Sequence, residues 1–220
     1  MNQKKKLEIA VILIFIVTAV STSFAMMPQK SQNSQGPIRI ACVGDSITEG
    51  SEYPYVLWML LGSNYSIGNF GKGGATVSMK GSTPYTNETV FEEAKKFQPN
   101  IVIIMLGANE ALPSLNQSKE DFMKDYKTLV SEFQKLTSKP QIWLVKPSPI
   151  FNDGTGLSTR IYEQTILPSI EAVSKDMNLP LIDVYSRLIN HPEYFLDGVH
   201  PFSEGAQVIA SAIYKALTLI

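Results

Sequence analysis

The sequence holds one cysteine, Cys42, and two histidines, His191 and His200, in 220 residues. A lone cysteine excludes an intramolecular disulfide framework. With so few histidines, no His-Glu-x-x-His run and no cysteine pair, there are too few ligands for a typical zinc site, so no metal and no other cofactor is expected. Basic residues are not in excess: 19 Lys and Arg stand against 20 Asp and Glu. No basic stripe of the kind that grips nucleic acid is present. The glycines from 44 to 50 lack the lysine of a phosphate loop, and those from 71 to 74 do not form a dinucleotide fingerprint. No internal repeat is visible. The length suits one domain, large enough for a full sheet covered by helices on both faces.

The one long apolar run lies at the N-terminus. Lys4-Lys5-Lys6 precedes an apolar stretch at 9–20 and then Ser21-Thr22-Ser23-Phe24-Ala25, the three-part pattern of a secretory signal cut after small residues. Residues 1–25 are therefore expected to be a signal peptide cleaved after Ala25, which makes the protein secreted or associated with the cell envelope. The rival is an uncleaved anchor, the only route by which this chain would meet a membrane. No cysteine stands beside the cut to take a lipid. Removing 1–25 leaves 16 basic and 19 acidic residues. Residues 26–36 are polar, without periodicity, and read as a disordered leader, so the domain is expected over 37–220.

Within the domain, apolar runs and helical stripes alternate. Residues 38–43, bounded by Gly36-Pro37 and Gly44, read as a central parallel strand, as do 101–106 before Gly107. Further strands are expected at 65–70, 141–145 and 181–184. Helices are expected at 53–61, with Pro54 in the first turn and Gly62 as its stop, and at 88–97. Residues 119–136 place Phe122, Tyr126, Leu129, Val130, Phe133 and Leu136 on one face. Two more helices follow at 158–177, bent near Pro168, and at 203–217. Residues 146–156, rich in Pro and Gly, should form a loop over the active edge of the sheet. This β-α alternation implies right-handed crossovers and a three-layer α/β/α sandwich around a parallel sheet. Cys42 falls inside the first strand and reads as a buried core thiol. Asn64, Asn87 and Asn116 head Asn-x-Ser/Thr sites, used only in a glycosylating secretory route.

The first strand stops at Gly44-Asp45-Ser46, where open α/β sheets bind ligands. Taken alone, Asp45-Ser46 suits a helix cap equally well. A serine needs a base to become a nucleophile, and the two histidines are the only conventional bases of suitable pKa. Asp197 precedes His200 by three residues in a Gly- and Pro-bounded turn, where a carboxylate can lie beside the imidazole and fix its tautomer. His191-Pro192 has no such neighbour.

Four blocks thus follow in order: Gly44-Asp45-Ser46, Asn69 to Thr76, Gly107-Ala108-Asn109-Glu110, and Asp197-Gly198-Val199-His200-Pro201. Together they resemble the GDSL or SGNH hydrolases, a family marked by a Ser, a Gly, an Asn and a His in four spaced blocks. The matching residues are Ser46, Gly74, Asn109 and His200, and the resemblance spans about residues 38–217. It implies a flavodoxin-like SGNH hydrolase fold, a catalytic Ser46, Asp197 and His200, and an oxyanion hole of the Ser46 N–H, the Gly74 N–H and the Asn109 side-chain amide. Glu110 departs from the pattern, since an Asp usually follows the Asn.

Within the family, Tyr53-Pro54-Tyr55-Val56-Leu57, residues 69–76 and residues 103–107 look most like bacterial sialate O-acetylesterase-like and acetylxylan-esterase-like members. The function implied is a secreted serine esterase that removes short acyl groups, above all O-acetyl groups on carbohydrates, from a small-molecule or glycan ester. A lysophospholipase or thioesterase of the same family and a non-catalytic glycan-binding module stay open as alternatives.

Overall fold

The computed structural model describes residues 36–151 and 156–219. The expected signal segment 1–25 and, but for Gly36, the leader 26–36 lie outside the described residues. Five parallel strands form one sheet: β1 (Ile38–Gly44), β2 (Tyr65–Gly71), β3 (Ile101–Met105), β4 (Gln141–Lys146) and β5 (Leu181–Asp183), in the order β2-β1-β3-β4-β5. This is the flavodoxin-like order, and it reverses direction between β1 and β3, where such sheets open a crevice beyond their carboxyl ends.

Side-chain alternation along β1 sorts the two cores. Ala41 and Val43 face one way, with Val102, Ile104, Ile142 and Leu144 of the neighbouring strands. Ile40 and Cys42 face the other, with Ile103, Met105, Trp143 and Val145. The first face is covered by α3 (Thr89–Lys96), α4 (Lys119–Gln134) and α6 (Leu167–Asp176), the second by α2 (Tyr53–Leu61) and α8 (Ser203–Thr218). Each fully buried Ile, Val or Leu contributes roughly 1.5–3 kcal/mol. The strand that delivers Ser46 is thereby held rigid on both sides. Burial pushes the Cys42 thiol up to about 12, against a hydrogen bond with Tyr53, so this sulfur is an inert core group.

Local chemistry explains the helix ends. Pro54 sits in the first turn of α2, and Gly62, at φ 79°, ends it. Ser118 caps α4, its Oγ accepting from the Asp121 N–H at 3.1 Å; Phe122, Tyr126, Leu129, Val130 and Phe133 are buried, and the helix stops at Gln134, just short of Leu136. The helix bent near Pro168 is built from α5 (Thr159–Ile161), a π-helical turn (Tyr162–Ile166) and α6. Proline has no N–H and crowds the carbonyl four residues back, and the wider π turn relieves that conflict. A short α7 (Tyr185–Leu188) follows β5. Asn64, Asn87 and Asn116 are exposed.

The segment after β4 is irregular and closely packed. Residues 147–150 are buried, and the Phe151 N–H donates to the Gly198 carbonyl at 2.8 Å. This segment therefore packs against the turn that holds Asp197 and His200. Residues 152–155 lie outside the described residues.

Candidate active site

Ser46 opens a helix of a single turn, α1 (Ser46–Gly50), at the carboxyl end of β1. Asp45 is buried and caps that turn: its Oδ1 accepts from the Ile47 N–H at 3.0 Å. Thr48 and Tyr53 share a buried hydrogen bond of 3.0 Å between their hydroxyls. The Asn69 amide reaches across from β2 to the Thr48 carbonyl at 2.8 Å. The backbone of Glu49 lies against Gly71, so close that a Cβ on Gly71 would run into it. The serine turn is thus wedged against β2, leaving the Ser46 hydroxyl half-buried at the crevice.

Beyond β2 the chain turns sharply. The Lys72 N–H donates to the Gly44 carbonyl at 3.0 Å, and the Gly73 N–H to Glu49 Oε2 at 2.8 Å. Gly74 follows at φ 73°, a left-handed conformation that glycine adopts without strain. Beyond β3, the Asn109 amide donates to the Ala75 carbonyl at 2.9 Å. An amide has two N–H groups, so a second remains available. Among the described residues, neither the Ser46 N–H nor the Gly74 N–H donates to another protein group. The three expected oxyanion donors therefore lie on three neighbouring segments, with unused donor capacity on each.

The fourth segment follows a 3₁₀ turn at Pro192–Tyr194. Asp197 Oδ1 accepts from the backbone N–H groups of Val199 at 3.0 Å and His200 at 2.8 Å. Its Oδ2 lies 2.7 Å from His200 Nδ1, and His200 Nε2 lies 2.8 Å from Ser46 Oγ. With Nδ1–H donating to the carboxylate, Nε2 is left as an acceptor for the serine proton. Partial burial works to raise the Asp197 carboxyl, but hydrogen bonds from the His200 backbone, the His200 ring and Val199 outweigh it and hold the group at about 2. It is a carboxylate at any ordinary pH.

His191 does none of this. Its Nδ1 meets Glu193 Oε1 at 2.9 Å and its ring stacks on Tyr194 at 4.7 Å, contacts made within its own turn. Two supports escaped sequence reasoning. One is Phe151 under the Asp197 turn, which no local pattern announces. The other is Glu110, fully buried beside Asn109, with Oε1 accepting from the Ser78 N–H at 3.0 Å; its departure from the resembled pattern was the only signal.

Residues 42–208 match the model of the GDSL-like lipase/acylhydrolase family. An acetylxylan esterase from Xylanibacter ruminicola is 30% identical over 206 residues, covering 82% of this chain and 43% of that protein. The chain thus spans less than half the length of that curated relative. Among solved structures, a carbohydrate acetylesterase from Sinorhizobium meliloti superposes with a TM-score of 0.67 at 17% identity, covering 82% of this chain and 98% of that one. An acetyl xylan esterase gives 0.67 at 20% identity, over 82% and 100%, and a lipase/acylhydrolase from Enterococcus faecalis 0.65 at 22%, over 81% and 94%. At these identities the structural likeness speaks for the fold.

Proposed function

The chain belongs to the GDSL-like lipase/acylhydrolase family, and from that premise we propose that it is a serine esterase that removes short acyl groups, chiefly acetyl groups on carbohydrates. The observation that carries this reading is the unbroken hydrogen-bond chain from Asp197 through His200 to Ser46, at 2.7 and 2.8 Å.

In the proposed reaction the ester carbonyl lies between Ser46 Oγ and the three donors. His200 Nε2 takes the serine proton as Oγ bonds to the carbonyl carbon, and Asp197 stabilises the imidazolium. Charge developing on the carbonyl oxygen falls to the N–H groups of Ser46 and Gly74 and to the Asn109 amide. Losing one such donor typically costs about 2.7–4 kcal/mol of barrier. His200 then returns the proton to the leaving alcohol, and an acyl group stays on Ser46. Water, deprotonated by the same imidazole, attacks that acyl-enzyme and frees the acid and the serine.

The acetyl preference is supported by the acetylxylan esterase relative and by the carbohydrate acetylesterases that share the fold. A secreted location rests on the basic, apolar and small-residue pattern of residues 1–25. The test is hydrolysis of p-nitrophenyl esters of two, four and eight carbons, followed by acetate release from acetylated xylo-oligosaccharides. The acetate ester should be cleaved fastest. Faster cleavage of octanoate would move the protein to a lipolytic role, and no cleavage of any ester would leave a glycan-binding module.

A further inference from the structure

Glu110 lies in the 3₁₀ turn Asn109–Ala111, entirely buried. A buried carboxyl is costly unless its oxygens are bonded. Burial pushes it up to about 7; the hydrogen bond from the Ser78 N–H and the nearby N–H groups of Val77 and of its own backbone work against that rise, and nearby Asp45 adds to it. Its Oε2 has no partner among the described residues, nor has the hydroxyl of Tyr126. A well-packed apolar residue would avoid this penalty, so stability alone is a poor reason for an acid here.

The groups it binds supply a better one. Val77 and Ser78 continue the segment that begins with Gly74 and Ala75. Asn109 holds that segment at the Ala75 carbonyl, and Glu110 holds it three residues further on, at the Ser78 N–H. Two consecutive residues of the turn after β3 therefore fasten the loop after β2. The loop is also tied to the serine turn by the Lys72 and Gly73 N–H groups and to itself by the Thr76 N–H at the Thr83 carbonyl, and further out by Ser78 Oγ to Gln117 and the Met79 N–H to Asp125. Without Glu110, the Asn109 amide would be left to set the distance between the turn after β3 and this loop while also serving as a donor to substrate.

We propose that Glu110 is a positioning residue for acyl transfer: by gripping the Ser78 N–H it fixes the separation between the Gly74 N–H and the Asn109 amide. The inference rests on the reading of this site as an esterase centre. Only an acceptor of the right reach is needed, so charge is dispensable and length is not.

The experiment compares E110Q, E110D and E110A in steady-state hydrolysis of p-nitrophenyl acetate, each checked for folding by circular dichroism. It also measures inhibition by phenylboronic acid, whose boron bonds to Ser46 Oγ as the serine proton passes to His200, giving a tetrahedral anion. Gln keeps the acceptor and its reach, so E110Q should stay within about 3-fold of wild type in kcat. E110D and E110A should lose about 10- to 100-fold in kcat with KM little changed. Their boronate affinity should fall by a similar factor, a loss that a merely structural role would not produce in folded protein. If E110A does not fold, E110D keeps the question open to an answer. Wild-type kcat in folded E110D, or a kcat loss with boronate affinity intact, overturns the proposal. S46A separates the two levels: an active S46A sinks the esterase reading itself, whereas a dead S46A beside a fully active E110D sinks only the role of Glu110.

Discussion

His200 Nε2 stands 2.8 Å from Ser46 Oγ across 154 positions of sequence. The serine is delivered by β1, buried on both faces, and the histidine by a turn whose shape Asp197 imposes through two backbone N–H bonds. The contact is therefore fixed by the fold at one end and by a local carboxylate at the other.

Asp197→Asn tests that second anchor. Asn keeps an oxygen for the Val199 and His200 N–H groups but presents an NH₂ to His200 Nδ1. The imidazole then carries its proton on Nε2, facing Ser46, and no longer accepts from it. A loss of about 10²–10⁴-fold in kcat/KM is expected, the upper value being that of the serine-protease precedent. His191→Ala, measured beside it, should change little, because His191 bonds only within its own turn. A larger loss for His191→Ala than for His200→Ala would reassign the base.

Gly71→Ala tests the wedge between β2 and the serine turn. The added methyl would meet the backbone of Glu49 and the end of Thr48, neither of which is a flexible side chain. Overpacking of this kind costs about 1–3 kcal/mol. Urea denaturation should show the destabilisation, and esterase activity should fall further than the folded fraction does, because the displaced backbone adjoins Ser46.

Stability should also depend on pH in a direction set by two buried acids. Burial raises Glu110 from 4.5 to about 7 and Asp45 from 3.8 to about 6. Between those limits the folded state holds more protons than the unfolded one, so stability falls as pH rises. The stability these groups confer is complete below about pH 4 and lost by about pH 7. Asp197, held at about 2, acts oppositely and only in stronger acid. Denaturation midpoints at pH 5 and pH 8 should therefore favour pH 5 in wild type. Glu110→Gln should shrink the difference, and an unchanged pH dependence in that variant would contradict the account.

What could be read from the sequence was what local chemistry determines. Gly44 after an apolar run marks the end of β1; Pro54 and Gly62 bracket α2; the spacing from Phe122 to Phe133 defines the buried face of α4. Ser46, Gly74, Asn109, Asp197 and His200 stood out because the four blocks that hold them, taken together, resemble the GDSL or SGNH hydrolases, a resemblance their places at strand ends and in Gly-bounded turns support. Their supports did not, because those depend on partners distant in sequence. Asn69 reaches Thr48, Phe151 reaches Gly198, and Glu110 reaches Ser78 only once the parallel sheet has brought the loops together. The π turn before Pro168 was legible as a bend, but not as the wider helix that makes it.

The most direct test of the central claim is to react the folded protein with an aryl fluorophosphonate, map the adduct by peptide mass spectrometry, and measure p-nitrophenyl acetate turnover of Ser46→Ala. Attack by Ser46 Oγ should expel fluoride and leave a single adduct on the peptide containing residue 46. Ser46→Ala should fold normally, take no label and lose at least about 10⁴-fold in kcat. A label on another residue, or substantial turnover by folded Ser46→Ala, would contradict the assignment of Ser46 as the nucleophile.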